Sequence, residues 1–249
     1  PGSDSVPTEN LRVDLRPDRD MTLNVEVYNP NGSIPFIVTP GGMGDIEGFG
    51  AFAKNLAAAS SDLKVIIMDR RNLGRSEVSF ANAEPMAGEE AEDLHVLLQR
   101  LDIDSAIFYG MSSGSRSNMV LAERYPEQVD ALIIAPLTGG PIAAQRLSEE
   151  YFLSYLRDDS LTSMEAVAQT PLWKGYMERN SPELQKIFME QNIDDFLATM
   201  KMTGEFLASF HAKTTLGMTD EQLMSLEVPA TLILHHGQEI DFLHPKVNA

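Results

Sequence analysis

Four short apolar runs, at residues 34–38, 65–68, 105–109 and 129–135, recur along the first half of the chain with helix-like stretches between them. No other feature constrains the fold as tightly. A strand with one wet face alternates apolar and polar residues, whereas these runs are nearly continuous, as burial on both faces requires. Buried strands alternating with helices imply a parallel sheet covered by helices on both sides. The earlier segments differ. Residues 11–16 and 21–28 flank a Pro17-Asp18-Arg19-Asp20 turn, and the alternation in Leu23-Asn24-Val25-Glu26-Val27 predicts a strand with one polar face, at a sheet edge.

The rhythm stops near Gly139. From there to Glu227 only helical periodicity appears, in pieces such as 148–157, 163–168, 182–189 and 194–209, and strand chemistry resumes at 228–234. An all-helical block between two strands of a parallel sheet reads as a lid over the strand ends. The domain assignment is therefore a core of residues 1–138 and 228–249 and a helical cap of 139–227. The 249 residues suffice for one core plus such an insertion.

Composition narrows the function. No apolar stretch approaches 18 residues, so no membrane span is expected. A net charge of −18 argues against nucleic acid, which needs clustered Lys and Arg. The absence of cysteine excludes disulfides and thiolate metal sites and fits a reducing, cytoplasmic setting. The acidic run Glu89-Glu90-Ala91-Glu92-Asp93 opens a predicted helix over 89–101 and reads as a complement to its dipole.

Chemistry concentrates at Gly110-Met111-Ser112-Ser113-Gly114, directly after the 105–109 strand and before a helix over 115–124. A serine on so sharp a strand-to-helix turn has its hydroxyl pushed outward, and the residues two before and two after it must be small. That fixes the register on Ser112, because Ser113 as nucleophile would put Met111 at the minus-two position. Arg116, one turn into the helix, is read as neutralising carboxylates in 84–93, the alternative being contact with an acidic substrate.

With these pieces in order, the chain resembles the capped α/β-hydrolase superfamily over about residues 11–245. The loop Pro40-Gly41-Gly42-Met43-Gly44 is similar to that superfamily's oxyanion loop, with proline in place of histidine. Asp69-Arg70-Arg71-Asn72-Leu73-Gly74-Arg75-Ser76 is similar to its Asp-x-Arg-Gly-x-Gly-x-Ser stretch, with Asn72 for the first glycine. The Ser112 turn is similar to its nucleophile elbow, and 234–245 resembles the end of its seventh strand. The implied fold is α/β, a mostly parallel sheet flanked by helices with an inserted all-helical cap.

The resemblance implies acyl transfer: Ser112 attacks, a histidine takes its proton and a carboxylate orients that histidine. The oxyanion donors would be the N–H of Ser113 and one from Gly42 or Met43. The 134–137 strand end offers no carboxylate, so the acid is placed at Asp241, by its spacing to His244-Pro245, with Glu239 as the alternative. The superfamily's base lies about 25 residues past the seventh strand, beyond Ala249, so the chain is expected to be incomplete.

Of the five histidines present, His95 is read as structural, His244 as shaping a turn before Pro245, and His235 and His236 as close enough to pair with Asp241. His211 and Trp173 are candidate substrate contacts, while most cap methionines and aromatics are read as the cap's own core. The expected substrate is a small apolar carbonyl compound, an ester or lactone, with no metal or organic cofactor. Peptide N-terminal amides and C–C bonds are alternative substrates for the same triad. A non-hydrolytic receptor or cyclase is the reading from another class.

Overall fold

The computed structural model describes residues 6–135, 139–210 and 216–234. Seven strands form one sheet, β1 (Thr8–Asp14), β2 (Thr22–Tyr28), β3 (Ile34–Thr39), β4 (Leu63–Met68), β5 (Ala106–Met111), β6 (Val129–Ala135) and β7 (Thr231–Ile233). Their order is β1-β2-β4-β3-β5-β6-β7. β1 pairs with β2 and β2 with β4 in antiparallel fashion, and every pairing from β4 through β7 is parallel. Three helices make the crossovers, α1 (Ile46–Ala59), α2 (Met86–Arg100) and α3 (Ser113–Arg124).

The continuous apolar runs are explained by which face each residue serves. Alternate residues Ile37, Ile66, Met68, Phe108, Leu132 and Ile134 pack with Leu94, Leu97 and Leu98 of α2 and Met119 and Leu121 of α3. The residues between them, Phe36, Val38, Val65 and Ile67, pack with Ile46, Ala53 and Ala57 of α1 on the other face. Side chains alternate across a strand, so a sheet buried on both sides leaves no polar phase in the pattern.

β2 departs from the edge expectation. β1 occupies the edge and β2 lies between β1 and β4. Leu23, Val25 and Val27 are buried, while Asn24 and Glu26 on its polar phase are half-buried and engage other polar groups. Asn24 Nδ2 donates to Asp69 at 2.8 Å, and the Tyr28 hydroxyl donates to Glu26. The polar face meets a polar crevice, which alternation alone does not distinguish from open solvent.

Between β6 and β7 lie only helices among the described residues: α4 (Pro141–Tyr151), α5 (Met164–Ala168), α6 (Pro171–Arg179), α7 (Pro182–Met189), α8 (Ile193–Ala208) and α9 (Asp220–Met224). Their starts carry the expected chemistry. Proline opens α4, α6 and α7, where a missing N–H costs nothing, and Asn192 caps α8 by accepting from the N–H groups of Asp194 and Asp195.

The aromatic cluster of this block is not its own alone. Phe80, from the segment joining β4 to α2, sits edge-on to Trp173, Phe188 and Phe196 at centroid distances of 5.5, 6.3 and 4.9 Å. Polar bonds reinforce the junction. Thr199 Oγ1 donates to the Phe80 carbonyl at 2.7 Å, and Asn180 Nδ2 donates to the Gly74 carbonyl at 2.7 Å.

The sheet's connectivity also says where a ligand belongs. From β3 the chain crosses to β4 on one side and then returns to β5 on the other side of β3. Such a reversal opens a crevice beyond the carboxyl ends of the two strands. Into it run the loop after β3 and the turn after β5.

Candidate active site

Ser112 joins β5 to α3 with its backbone at φ 47° and ψ −111°. A non-glycine residue held at such angles costs on the order of 1–3 kcal/mol and persists only where its surroundings enforce it. Here they do. A Cβ on Gly110 would come within 2.6 Å of Ser115 Cα, and one on Gly114 within 2.2 Å of the Thr39 carbonyl oxygen. The Ser112 N–H donates to the Ala135 carbonyl at 3.2 Å, which ties the turn to the end of β6. Ser113, by contrast, is already the first residue of α3.

The loop after β3 lies against this turn. A Cβ on Gly41 would stand 2.4 Å from the Met111 carbonyl oxygen and 3.1 Å from Ser112 Cβ. Gly42 has φ +55°, and its N–H donates to the Ser113 hydroxyl at 2.7 Å. The donor expected for an oxyanion therefore holds a side-chain oxygen of its neighbour. The Ser113 N–H opens α3 and has no acceptor within the helix, so it shares the positive end of the helix dipole. Met43 is partly exposed at the mouth of the same cavity.

The Asp69–Ser76 stretch is a scaffold for this loop. Asp69 accepts from the N–H of Ile46 at 2.6 Å and of Arg75 at 2.9 Å, and burial pushes its pKa above the ordinary carboxylate value despite those bonds. Asn72, standing where the resemblance has glycine, takes φ 67°, a conformation asparagine tolerates better than most residues. Arg70 reaches further: its Nη2 donates to the Gly42 carbonyl at 2.5 Å, while Nη1 donates to both oxygens of Glu90 at 2.9 and 3.0 Å. Ser117 on α3 donates its hydroxyl to the same carboxylate.

This corrects the reading of the acidic run. Glu89, Glu90 and Asp93 are buried, at 3–5% exposure, and do more than complement a helix dipole. Asp93 accepts from Arg71 Nε and Nη2 at 2.6 and 2.8 Å and from Arg19 Nε at 2.9 Å, and Glu89 pairs with Arg19. The network missed from sequence was signalled there. Residues 89, 93 and 97 share one face of α2, and Leu97 is core, so the two acids in phase with it had to be buried and paired.

Arg116 feels the charge of Glu90, within the expected stretch, but forms no direct ion pair among the described residues. Its Nη1 is buried without a hydrogen-bond partner. It lines a cavity of about 170 Å³ together with Gly42, Met43, Ser112 and Ser113. The helices between β6 and β7 close the other side through residues such as Phe152, Trp173 and Met200. Trp173 thus belongs both to the aromatic cluster and to the cavity wall.

His95 is occupied elsewhere. Its ring stacks on Tyr125 at 3.7 Å, and its Nδ1 and Nε2 lie 2.8 and 3.1 Å from Gln128 and Gln99. Asp241, Glu239, His211, His235, His236 and His244 lie outside the described residues, as do 136–138 at the end of β6. Among the described residues, no group of three or more His, Asp or Glu side chains could hold a metal ion. No described helix is long and apolar enough to cross a membrane.

Comparison with known proteins agrees with this architecture. The uncharacterized hydrolase YraK of Bacillus subtilis is 33% identical over 43% of this chain and 38% of its own length. The esterase YbfF of Escherichia coli is 29% identical over 47% of this chain and 46% of its own. The match thus spans less than half the length of each curated relative. Among solved structures, the 2-hydroxy-6-oxo-6-phenylhexa-2,4-dienoate hydrolase of Rhodococcus sp. strain RHA1 aligns with a TM-score of 0.56 at 18% identity. That alignment covers 91% of this chain and 80% of the other. The family model described as the alpha/beta hydrolase fold matches residues 34–186, from β3 into α7, and the chain belongs to that family.

Proposed function

We propose that the protein is a serine hydrolase of small esters or lactones, working through an acyl-enzyme on Ser112. The observation that carries this reading is the enforced turn at Ser112, φ 47°, opening into a mostly apolar cavity beside the Gly42 loop. Strain at one residue, clamped by glycines that admit no Cβ, marks a position shaped to present its side chain. That one relative, YbfF of Escherichia coli, is an esterase supports ester over amide or C–C substrates.

In this mechanism a histidine base oriented by Asp241 takes the Ser112 proton as Oγ attacks the carbonyl carbon. The tetrahedral oxygen accepts from the N–H groups of Ser113 and Gly42. Collapse expels the alcohol, which takes the proton from the base, and water then releases the acid. Losing one oxyanion donor typically costs about 3–4 kcal/mol of transition-state stabilisation. The Ser113 hydroxyl, which accepts from Gly42 in the resting structure, gives way to the substrate oxygen. The helices from 139 to 227 act as a cap that keeps water from the cavity, and the setting is cytoplasmic.

One observation favours a second reading. A Gly42 N–H already satisfied by Ser113 would suit a small-molecule receptor that keeps the pocket without turnover. A fluorophosphonate probe on the full-length protein separates the two. Labelling at Ser112, lost in Ser112→Ala, supports the hydrolase; a folded protein that does not label supports the receptor.

A further inference from the structure

We infer that the cavity takes a ligand with one carboxylate, which Arg116 grips while the rest of the molecule fills the apolar wall toward Ser112. This rests on the hydrolase reading for the identity of the reacting group, but the grip itself does not.

Arg116 follows Ser112 by one helical turn. Its N–H donates to the Ser112 carbonyl at 3.4 Å, so the two side chains share a face of α3 and line the same cavity. Its Nη1 is buried with no hydrogen-bond partner. A buried guanidinium N–H without a partner is unfavourable in a folded protein, and a functional site is where such a cost is retained.

The neighbouring charges do not cancel it. Glu90 is the nearest carboxylate acting on Arg116, and both its oxygens already accept from Arg70, one of them also from Ser117. Among the described residues, the charged members of the cavity wall are Arg70, Arg116 and Glu90, two positive charges against one negative. This excess stands in a chain whose net charge is −18, so general surface charge does not account for it. The positive end of the α3 dipole adds to it. Burial lowers the Arg116 pKa to about 10, which leaves the guanidinium charged at neutral pH.

The side chain is also held in place. Gly217 has φ +88°, and a Cβ there would press within 2.9 Å of Arg116 Cδ, so this glycine packs over the stem of the arginine. The planar fork of a guanidinium matches the two oxygens of a carboxylate. Leu147, Phe152, Leu172, Met200 and Phe206 supply the apolar remainder of the wall. A cavity of about 170 Å³ is close to one that takes a single aromatic ring, on the order of 150 Å³. The ligand is therefore a small apolar body with one anionic end.

Calorimetric titration of the full-length protein with 3-phenylpropanoate, its neutral amide and 2-phenylethyl phosphate tests this without requiring turnover. The carboxylate should bind about 10- to 150-fold tighter than the amide, the range of a charge-assisted hydrogen bond. Arg116→Gln should erase that preference while leaving amide affinity within about threefold, and Arg116→Lys should restore part of it. Equal affinity of carboxylate and amide for the wild type overturns the inference even if the Gln variant does not fold. Tighter binding of the phosphate overturns the assignment to a carboxylate. Fluorophosphonate labelling of Ser112 in the same preparations is read separately, so the carboxylate grip can fail while the hydrolase reading stands, and the reverse.

Discussion

Substituting Gly114 by alanine should damage stability and chemistry together, and the structure sets the scale. The added Cβ would fall 2.2 Å from the Thr39 carbonyl oxygen, 2.6 Å from that of Pro40 and 2.9 Å from Thr39 C. All three are main-chain atoms of the strand and loop beside the turn, so no side chain can swing away. Restoring ordinary contact moves either α3 or the end of β3 by roughly 1 Å in a close-packed interior. Overpacking of this kind costs about 1–3 kcal/mol, a drop of roughly 2–12 °C in melting temperature for a chain of this size. A displacement of about 1 Å between nucleophile and oxyanion donors costs on the order of 100-fold in rate.

Gly175 provides the matched control. It lies within α6, and its added Cβ would meet nothing within 4 Å. Gly175→Ala should therefore raise stability by about 0.5–1 kcal/mol through helix propensity and leave the rate unchanged. The assays are thermal unfolding followed by circular dichroism and the rate of fluorophosphonate labelling. A Gly114→Ala protein that melts and labels like the parent would refute the packing argument for the turn.

Other outcomes follow from the same contacts. Asp93→Ala removes the bidentate partner of buried Arg71, leaving it Glu89 at 3.7 Å, and should cost about 3 kcal/mol in chemical denaturation, whereas Arg71→Met with Asp93→Leu should recover much of that loss; a single change under 1 kcal/mol contradicts the network. Ser113→Ala frees the Gly42 N–H while keeping the main-chain donor at 113, so ester hydrolysis should persist or rise. A 100-fold fall in kcat would assign chemistry to that hydroxyl.

Acid stability supplies a further check. Burial opposes ionisation of Glu89, yet Arg71 and Arg19 hold its carboxyl below the ordinary value of 4.5. With the folded pKa depressed, Glu89 contributes stability that is present above 4.5 and lost as pH falls through the lower folded value. Melting temperature should therefore fall along this acid limb, and Glu89→Gln should flatten it.

The parts of the fold legible in sequence were those with a repeating physical signature. β3, β4, β5 and β6 announce themselves because burial on both faces removes the polar phase from a strand. The Ser112 turn is legible because its glycines are required by contacts at Thr39 and Ser115 that any strand-to-helix turn this tight must make. The strand order was not legible at β2, whose alternation describes a polar neighbour and an open edge equally well. Nor was the Arg70–Glu90–Ser117 chain, because its members lie 20 and 27 residues apart and their pairing follows from how α2 and α3 pack. The Gly42–Ser113 bond depends on a hydroxyl orientation that no spacing encodes. Phe80 was passed over because it is a lone aromatic in a loop, and its partners come from α6, α7 and α8.

The central claim concerns one oxygen atom, Ser112 Oγ, and intact-protein mass spectrometry with peptide mapping addresses it directly. Rapid mixing of the full-length protein with an excess of p-nitrophenyl ester, followed by acid quench, should show one acyl group on the peptide containing Ser112. A stoichiometric burst of p-nitrophenolate should accompany it, and both should vanish in Ser112→Ala. An acyl group on Ser113, or turnover without a covalent intermediate, would contradict the assignment.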